Sequence, residues 1–183
     1  MKCNFVISDN IKKIYKEIER RLKISNREFE HVTLIGASKA QSIENIKEAF
    51  YGGVIHFGEN YLQEAEDKIR SLEINATWHF IGRIQSRKAK RISEIFDWVH
   101  TVDSFRIAKK LNDSRPVSMK PLNVCIQLNI DNENTKSGTS IDDLEKTIDE
   151  LKDLDKLNIR GLMVIPKQRD SIEEQRKIFR VVN

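Results

Sequence analysis

The sequence predicts an α/β fold of the TIM-barrel type, (β/α)8, of which about six of the eight β/α units are present in 183 residues. Two observations predict this class. Short apolar segments rich in β-branched residues alternate with longer segments whose apolar residues recur every three or four positions. The repeats are of similar length and carry no glycine-rich nucleotide fingerprint, which favours a barrel over an open Rossmann sheet.

The first β/α unit provides the main candidate residue. An amphipathic helix is predicted to begin near Asp9, and residues 31–37 follow as an apolar strand buried on both faces. Ser42 is expected to cap the next helix, which continues to about Tyr51. Lys39 therefore lies just past the carboxyl end of a parallel strand, where α/β folds bind their ligands.

The same alternation continues along the rest of the chain. Further strands are predicted at residues 54–58, 77–82, 98–102, 122–130 and 159–165. The helices that follow them are predicted to begin near Glu59, at Gln85, at Asp103 or Ser104, at Ile141, and after the capping box Ser171…Glu174. A full barrel has eight strands, so residues 1–183 are expected to form a single barrel domain that lacks the last two strands.

Composition excludes several classes of protein. The 32 basic and 28 acidic side chains give a net charge of +4 that is spread along the chain, and the basic run at 83–91 lacks the interleaved aromatic residues of a nucleic-acid site. No apolar run approaches a membrane span of roughly 20 residues, and no signal peptide is evident. Cys3 and Cys125 fit a reducing compartment, and no histidine has a partner at metal-ligand spacing. We expect a cytoplasmic protein without metal, nucleic acid or membrane partners.

The position of Lys39 is compatible with covalent chemistry. A neutral lysine amine attacks a carbonyl carbon and forms a Schiff base, and partial removal from water favours the neutral amine. A solvated loop lysine is the alternative interpretation in a chain this rich in lysine. Position alone makes Lys39 a candidate.

Five sequence motifs, which follow one another along the chain, indicate a specific role for Lys39. They are LIGASK, HFGENYLQE, WHFIGRIQSRK, KSG and RGLMVIP, and they extend from about Val32 to Pro166. In this order and at this spacing they resemble the YggS/PROSC family of pyridoxal 5′-phosphate (PLP) homeostasis proteins, whose fold is similar to the barrel domain of alanine racemase. The resemblance implies that the protein binds PLP and takes part in intracellular PLP (vitamin B6) homeostasis.

The resemblance also implies four cofactor-binding residues. Lys39 matches the lysine that holds PLP as a Schiff base, and Asn60 matches a residue at the cofactor rim, for which a helix cap is the alternative. Lys136 matches a second lysine in the fifth loop and is expected to assist uptake and release of the cofactor. Met163 is expected to line the pocket, with packing as the alternative role. His79, in the third motif, is expected to be a buried core histidine.

The function inferred from this resemblance is cofactor carriage, with no catalytic residue of the chain's own. A PLP-dependent amino-acid racemase is the alternative function. Racemases of this fold need a tyrosine from a separate domain as a second catalytic residue, and Tyr15, Tyr51 and Tyr61 lie in predicted helices. A phosphosugar-binding barrel enzyme is a third, less supported function. We expect a monomer whose partners are PLP and PLP-dependent apoenzymes.

Overall fold

The structure is a computed structural model that describes residues 6–28, 30–131 and 137–182. Its strands are β1 (Ile35–Ala37), β2 (His56–Glu59), β3 (Thr77–Phe80), β4 (Trp98–Val102), β5 (Leu122–Leu128) and β6 (Leu157–Val164). Its helices are α1 (Val6–Ile24), α2 (Ile43–Tyr51), α3 (Leu62–Ser71), α4 (Ala89–Ile95), α5 (Phe105–Ser114), α6 (Leu144–Leu151) and α7 (Ile172–Val181). The strands form one sheet in the order β1-β2-β3-β4-β5-β6. The predicted α/β class with six β/α units is confirmed.

The chain divides into two compact units, Met1–His79 and Phe80–Asn183. In the first unit β1 and β2 pair in parallel, with Ala37 opposite Gly58. The side chains of Phe57 and Trp78 are almost completely buried, and their ring centroids lie 5.7 Å apart. Such aromatic pairs provide a large part of the apolar area that stabilises a small core.

The first strand differs from its prediction. Residues 31–37 were expected to form a strand buried on both faces, but β1 covers Ile35–Ala37 alone and Val32 is 44% exposed. The reason is its place in the sheet, since β1 is the first strand in the order and pairs with β2. A strand with a neighbour on one side is less buried than its apolar composition suggests.

In the second unit the core lies along β5, where Leu122, Val124 and Ile126 are fully buried. Cys125 is also buried, and burial raises the pKa of its thiol above the usual value. The pairing of β5 with β6 shifts between Val124 and Cys125, which marks a bulge in β6 at Arg160, next to Gly161 with its positive φ.

Several predicted helices are shorter in the structure. The basic segment expected to begin a helix at Gln85 consists of a 3₁₀ turn at Ser86–Lys88 followed by α4, and the helix expected to begin at Ile141 begins at Leu144 as α6. No helix in the described part of the chain is long and apolar enough to cross a membrane.

Ser42, Ser104 and Ser171 are N-cap residues at the predicted helix starts, and the first and last of them form a side-chain cap bond. Ser42 and Ser171 accept hydrogen bonds from the backbone N–H groups of Asn45 and Glu174. The hydroxyl of Ser104 instead donates to Asp103 and makes no cap bond.

Candidate functional site

Lys39 lies in a tight turn at the carboxyl end of β1. The N–H of Gln41 donates to the carbonyl oxygen of Ser38 at 3.0 Å, which closes a four-residue turn with Lys39 and Ala40 at its centre. Lys39 is exposed, and none of the hydrogen bonds and ion pairs among the described residues involves its ammonium group. The amine is therefore presented to solvent at the carboxyl edge of the sheet, the edge at which α/β folds generally bind their ligands.

Asn60 occupies the equivalent place after the neighbouring strand. Ala37 and Gly58 are paired in register, and Lys39 and Asn60 each follow that pair by two residues. Helix α3 begins with Tyr61 as its N-cap residue, so the interpretation of Asn60 as a helix cap is wrong. Its side-chain oxygen Oδ1 is buried and has no hydrogen-bond partner among the described residues. A buried acceptor without a donor is costly, and a bound ligand could supply the donor.

Beneath the turn lies a buried ion cluster of Glu59, Glu64 and Lys68, which we call the Lys68 cluster. The Nζ of Lys68 donates to Glu59 Oε1 at 2.7 Å and to Glu64 Oε1 at 2.6 Å. The same ammonium donates to the carbonyl oxygen of Ser38 at 2.5 Å. The Lys68 side chain is 7% exposed and that of Glu59 is fully buried, so this pair is shielded from water, whereas the Glu64 side chain is 30% exposed and lies at the edge of the cluster.

The Lys68 cluster also contacts both residues next to Lys39. Ser38 donates its hydroxyl to Glu59 Oε1 at 2.7 Å, and the N–H of Ala40 donates to Glu64 Oε1 at 2.6 Å. The hydrogen bond from Lys68 lowers the pKa of the Glu64 carboxyl below its usual value. Glu64 thus remains an acceptor for Ala40 throughout the neutral pH range.

The sequence analysis missed the Lys68 cluster. One signal was available, because Glu64 and Lys68 are four residues apart on a predicted helix and such pairs attract each other. The spacing does not distinguish a surface pair from a buried one. Burial here depends on Glu59 at the end of β2, which the pattern had suggested as the start of the next helix.

His79 is buried, as predicted for a core histidine, and is only 2% exposed. Its Nε2 lies 2.9 Å from Nδ1 of His56 on the neighbouring strand. The described residues contain no group of three or more side chains that could hold a metal ion.

In the second unit, Met163 on β6 lies opposite Gln127 on β5. Both side chains line a cavity of about 280 Å³, together with Asp131 and Ile165. Asp131 is fixed at this rim because its carboxylate accepts from the backbone N–H of Lys167 at 2.6 Å and from the Arg169 guanidinium. The role of Met163 in binding a cofactor stays a prediction.

Lys136 lies outside the described residues. The loop is described again from Ser137, and Gly138 has φ +136°, with the place of a Cβ only 2.7 Å from the backbone nitrogen of Asn129. A residue with a side chain would clash there, so the glycine of the KSG motif is required for this loop to return against β5.

Two curated bacterial proteins resemble the chain over most of its length. The pyridoxal phosphate homeostasis protein of Haemophilus influenzae is 42% identical over 177 residues, which cover 95% of this chain and 75% of that protein. The chain belongs to the pyridoxal phosphate homeostasis protein family. The Escherichia coli K12 member is 41% identical over 178 residues, covering 95% of this chain and 76% of its own length. Residues 10–182 also match the family of the alanine racemase N-terminal domain.

Solved structures of other proteins agree with this family membership. PipY of Synechococcus elongatus PCC7942 with PLP bound has a TM-score of 0.74 and 32% identity, covering 90% of this chain and 78% of PipY. The alanine racemase of Clostridium difficile 630 has a TM-score of 0.70 at 16% identity, covering 95% of this chain and 46% of the racemase. The racemase therefore shares the fold.

Proposed function

We propose that this protein binds PLP through Lys39 and serves intracellular PLP homeostasis by holding the cofactor. The observation that carries the proposal is the exposed amine of Lys39, free of ion pairs among the described residues, in a fixed turn at the carboxyl end of β1. The PLP homeostasis proteins at 41–42% identity and the PLP-bound PipY support the same ligand.

The residues at this edge fit an aldehyde-bearing cofactor. The neutral Nζ of Lys39 would add to the aldehyde carbon, and the oxygen would leave as water, so that a C=N bond replaces the C=O bond in a Schiff base. PLP supplies an electron-withdrawing ring when bound, but the chain needs only the covalent link for carriage. In this proposal Asn60 contributes its buried Oδ1 as an acceptor.

Two further residues belong to the proposed site. Met163 would contribute an apolar wall, since its side chain lines the cavity at the end of β6. Lys136 would assist uptake and release of the cofactor from its loop. We propose that residues 1–183 act together as one PLP-binding domain, in the cytoplasm and as a monomer, with PLP-dependent apoenzymes as recipients.

A racemase-like enzyme remains the second candidate function, because the chain matches the alanine racemase N-terminal domain. The positions of the tyrosines do not favour it. The hydroxyl of Tyr15 donates to the carbonyl oxygen of Gly53, and Tyr51 is at the end of α2. Tyr61 precedes α3 and is 65% exposed. General acid–base catalysis requires a proton donor or acceptor positioned at the substrate.

The test is covalent labelling of Lys39. The protein is incubated with PLP and reduced with borohydride, and the labelled peptides are identified by mass spectrometry. We expect the label mainly on Lys39 and its loss in Lys39→Ala, whereas Lys47→Ala, an exposed lysine on α2, should label as the wild type does. A label mainly on another lysine, or unchanged labelling of Lys39→Ala, would refute the proposal.

A further inference from the structure

We propose that Glu64 and Lys68 are positioning residues that hold the Lys39 turn in the conformation that reacts with the aldehyde of PLP. This inference rests on the proposed function. Neither residue contacts Nζ of Lys39 among the described hydrogen bonds and ion pairs, and both act through the backbone on either side of it.

The geometry of the Lys68 cluster carries the inference. The ammonium of Lys68 binds the carbonyl oxygen of Ser38, which precedes Lys39, and the carboxylate of Glu64 binds the N–H of Ala40, which follows it. Lys68 and Glu64 are bonded to each other at 2.6 Å. The two backbone groups that flank Lys39 are therefore tied to a single ion pair.

The arrangement also distinguishes the two lysines. Lys68 donates to three acceptors, which uses all three protons of its ammonium group. Lys39 is exposed and has no such acceptor among the described residues. The ammonium group of Lys68 is thus fully hydrogen-bonded within the protein, whereas the amine of Lys39 is left available for a ligand.

Stability alone does not account for this cluster. A buried ion pair loses much of its Coulomb attraction to the cost of removing charges from water, and apolar residues of similar volume are often as stable. What apolar residues cannot do is bind a carbonyl oxygen and a backbone N–H. A correctly placed reacting group matters because a displacement of about 1 Å can cost on the order of 100-fold in rate.

The experiment compares the rate of labelling at Lys39 with that at exposed Lys47 in the same molecule. Glu64→Ala removes the acceptor for Ala40, Glu64→Gln keeps an oxygen acceptor, and Asp67→Ala removes an exposed carboxylate from the same helix as a matched control. We expect Glu64→Ala to lower the Lys39:Lys47 rate ratio by about tenfold or more. Glu64→Gln should recover most of the ratio, and Asp67→Ala should leave it unchanged.

A second variant tests the contact between Lys68 and Ser38 without leaving an unpaired buried charge. In the double variant Glu59→Leu/Lys68→Met both members of the buried pair become apolar. The hydrogen bonds to the carbonyl oxygen and from the hydroxyl of Ser38 are then lost while the site stays filled. We expect the same fall in the rate ratio, with circular dichroism as the check on folding. A wild-type rate ratio in Glu64→Ala or in the double variant, whichever of the two folds, would overturn the inference. Absence of Lys39 labelling in the wild type would instead refute the proposed function.

Discussion

Ala40 adopts a backbone conformation that a residue with a Cβ rarely takes. Its φ is +57°, in the left-handed region, at the third position of the turn that contains Lys39. For an L-residue this conformation costs roughly 1–2 kcal/mol. The hydrogen bond from its N–H to Glu64 helps to hold it there. The turn therefore stores strain next to the proposed reactive lysine.

Replacing Ala40 by glycine should relieve this strain. We expect Ala40→Gly to raise the free energy of unfolding by about 0.5–1 kcal/mol, because glycine adopts positive φ freely although it also gains entropy when unfolded. Urea denaturation measures the change. Ala49→Gly, in the interior of α2, is the matched control and should lower stability by about 1 kcal/mol. Equal losses in the two variants would contradict the strain argument.

At the scale of single residues, the sequence predicted the position of Lys39 in the fold better than the contacts of the residues around it. Lys39 was placed correctly at the end of a strand, because strand and helix patterns are local. The free buried oxygen of Asn60 and the burial of Lys68 could not be predicted, since each depends on how α3 meets the end of β2. Side-chain burial is a tertiary property that a residue's own neighbours in sequence do not determine.

Among the elements, helix ends with a clear capping signal were predicted accurately. The Ser171…Glu174 pattern and the start of α7 coincide, because the serine oxygen satisfies a backbone N–H that the helix leaves free. Ser104 shows the limit of such patterns, since the adjacent Asp103 carboxylate accepts the hydrogen bond from its hydroxyl. Competition between two neighbouring polar groups is not evident from residue types alone.

The cap at Ser171 leads to a test on α7. Ser171→Ala should destabilise the start of this helix by about 1 kcal/mol, so amide exchange there should accelerate about fivefold. Hydrogen exchange followed by NMR at Glu174 and Gln175, whose N–H groups donate to Ser171, measures it. Ser118→Ala, an exposed serine outside the helices, should leave those rates unchanged. Unchanged exchange in Ser171→Ala would show that the hydrogen bond at 3.2 Å does not stabilise the helix.

For the molecule as a whole, stability should fall on the acid side of neutrality, partly through His100. Burial lowers the pKa of His100 from its usual value of 6.5, and its ring stacks on Trp98. The unfolded chain then takes up a proton more readily than the folded protein. The stability linked to His100 is complete above about pH 6.5 and is lost as the pH falls through the lower pKa of the folded state.

The corresponding experiment compares the urea concentrations at the midpoint of unfolding at about pH 7.5 and pH 5.5, on either side of the usual histidine pKa. The wild-type midpoint should fall on acidification, and His100→Gln should show a smaller fall because glutamine does not titrate. His31→Gln changes an exposed histidine and should behave as the wild type does. Identical falls in all three proteins would exclude His100 as a source of the pH dependence.

The sequential order of the six strands has a consequence for how the protein is made. Each strand lies beside the strand that precedes it in the chain, so no strand has to wait for a distant segment to be synthesised. During translation, the strand of each β/α unit that leaves the ribosome can pair with the edge of the strand synthesised just before it. Contacts between near neighbours in sequence also lower the entropy lost in closing loops, which speeds folding. The sheet can therefore grow one strand at a time, in the direction in which the polypeptide is synthesised.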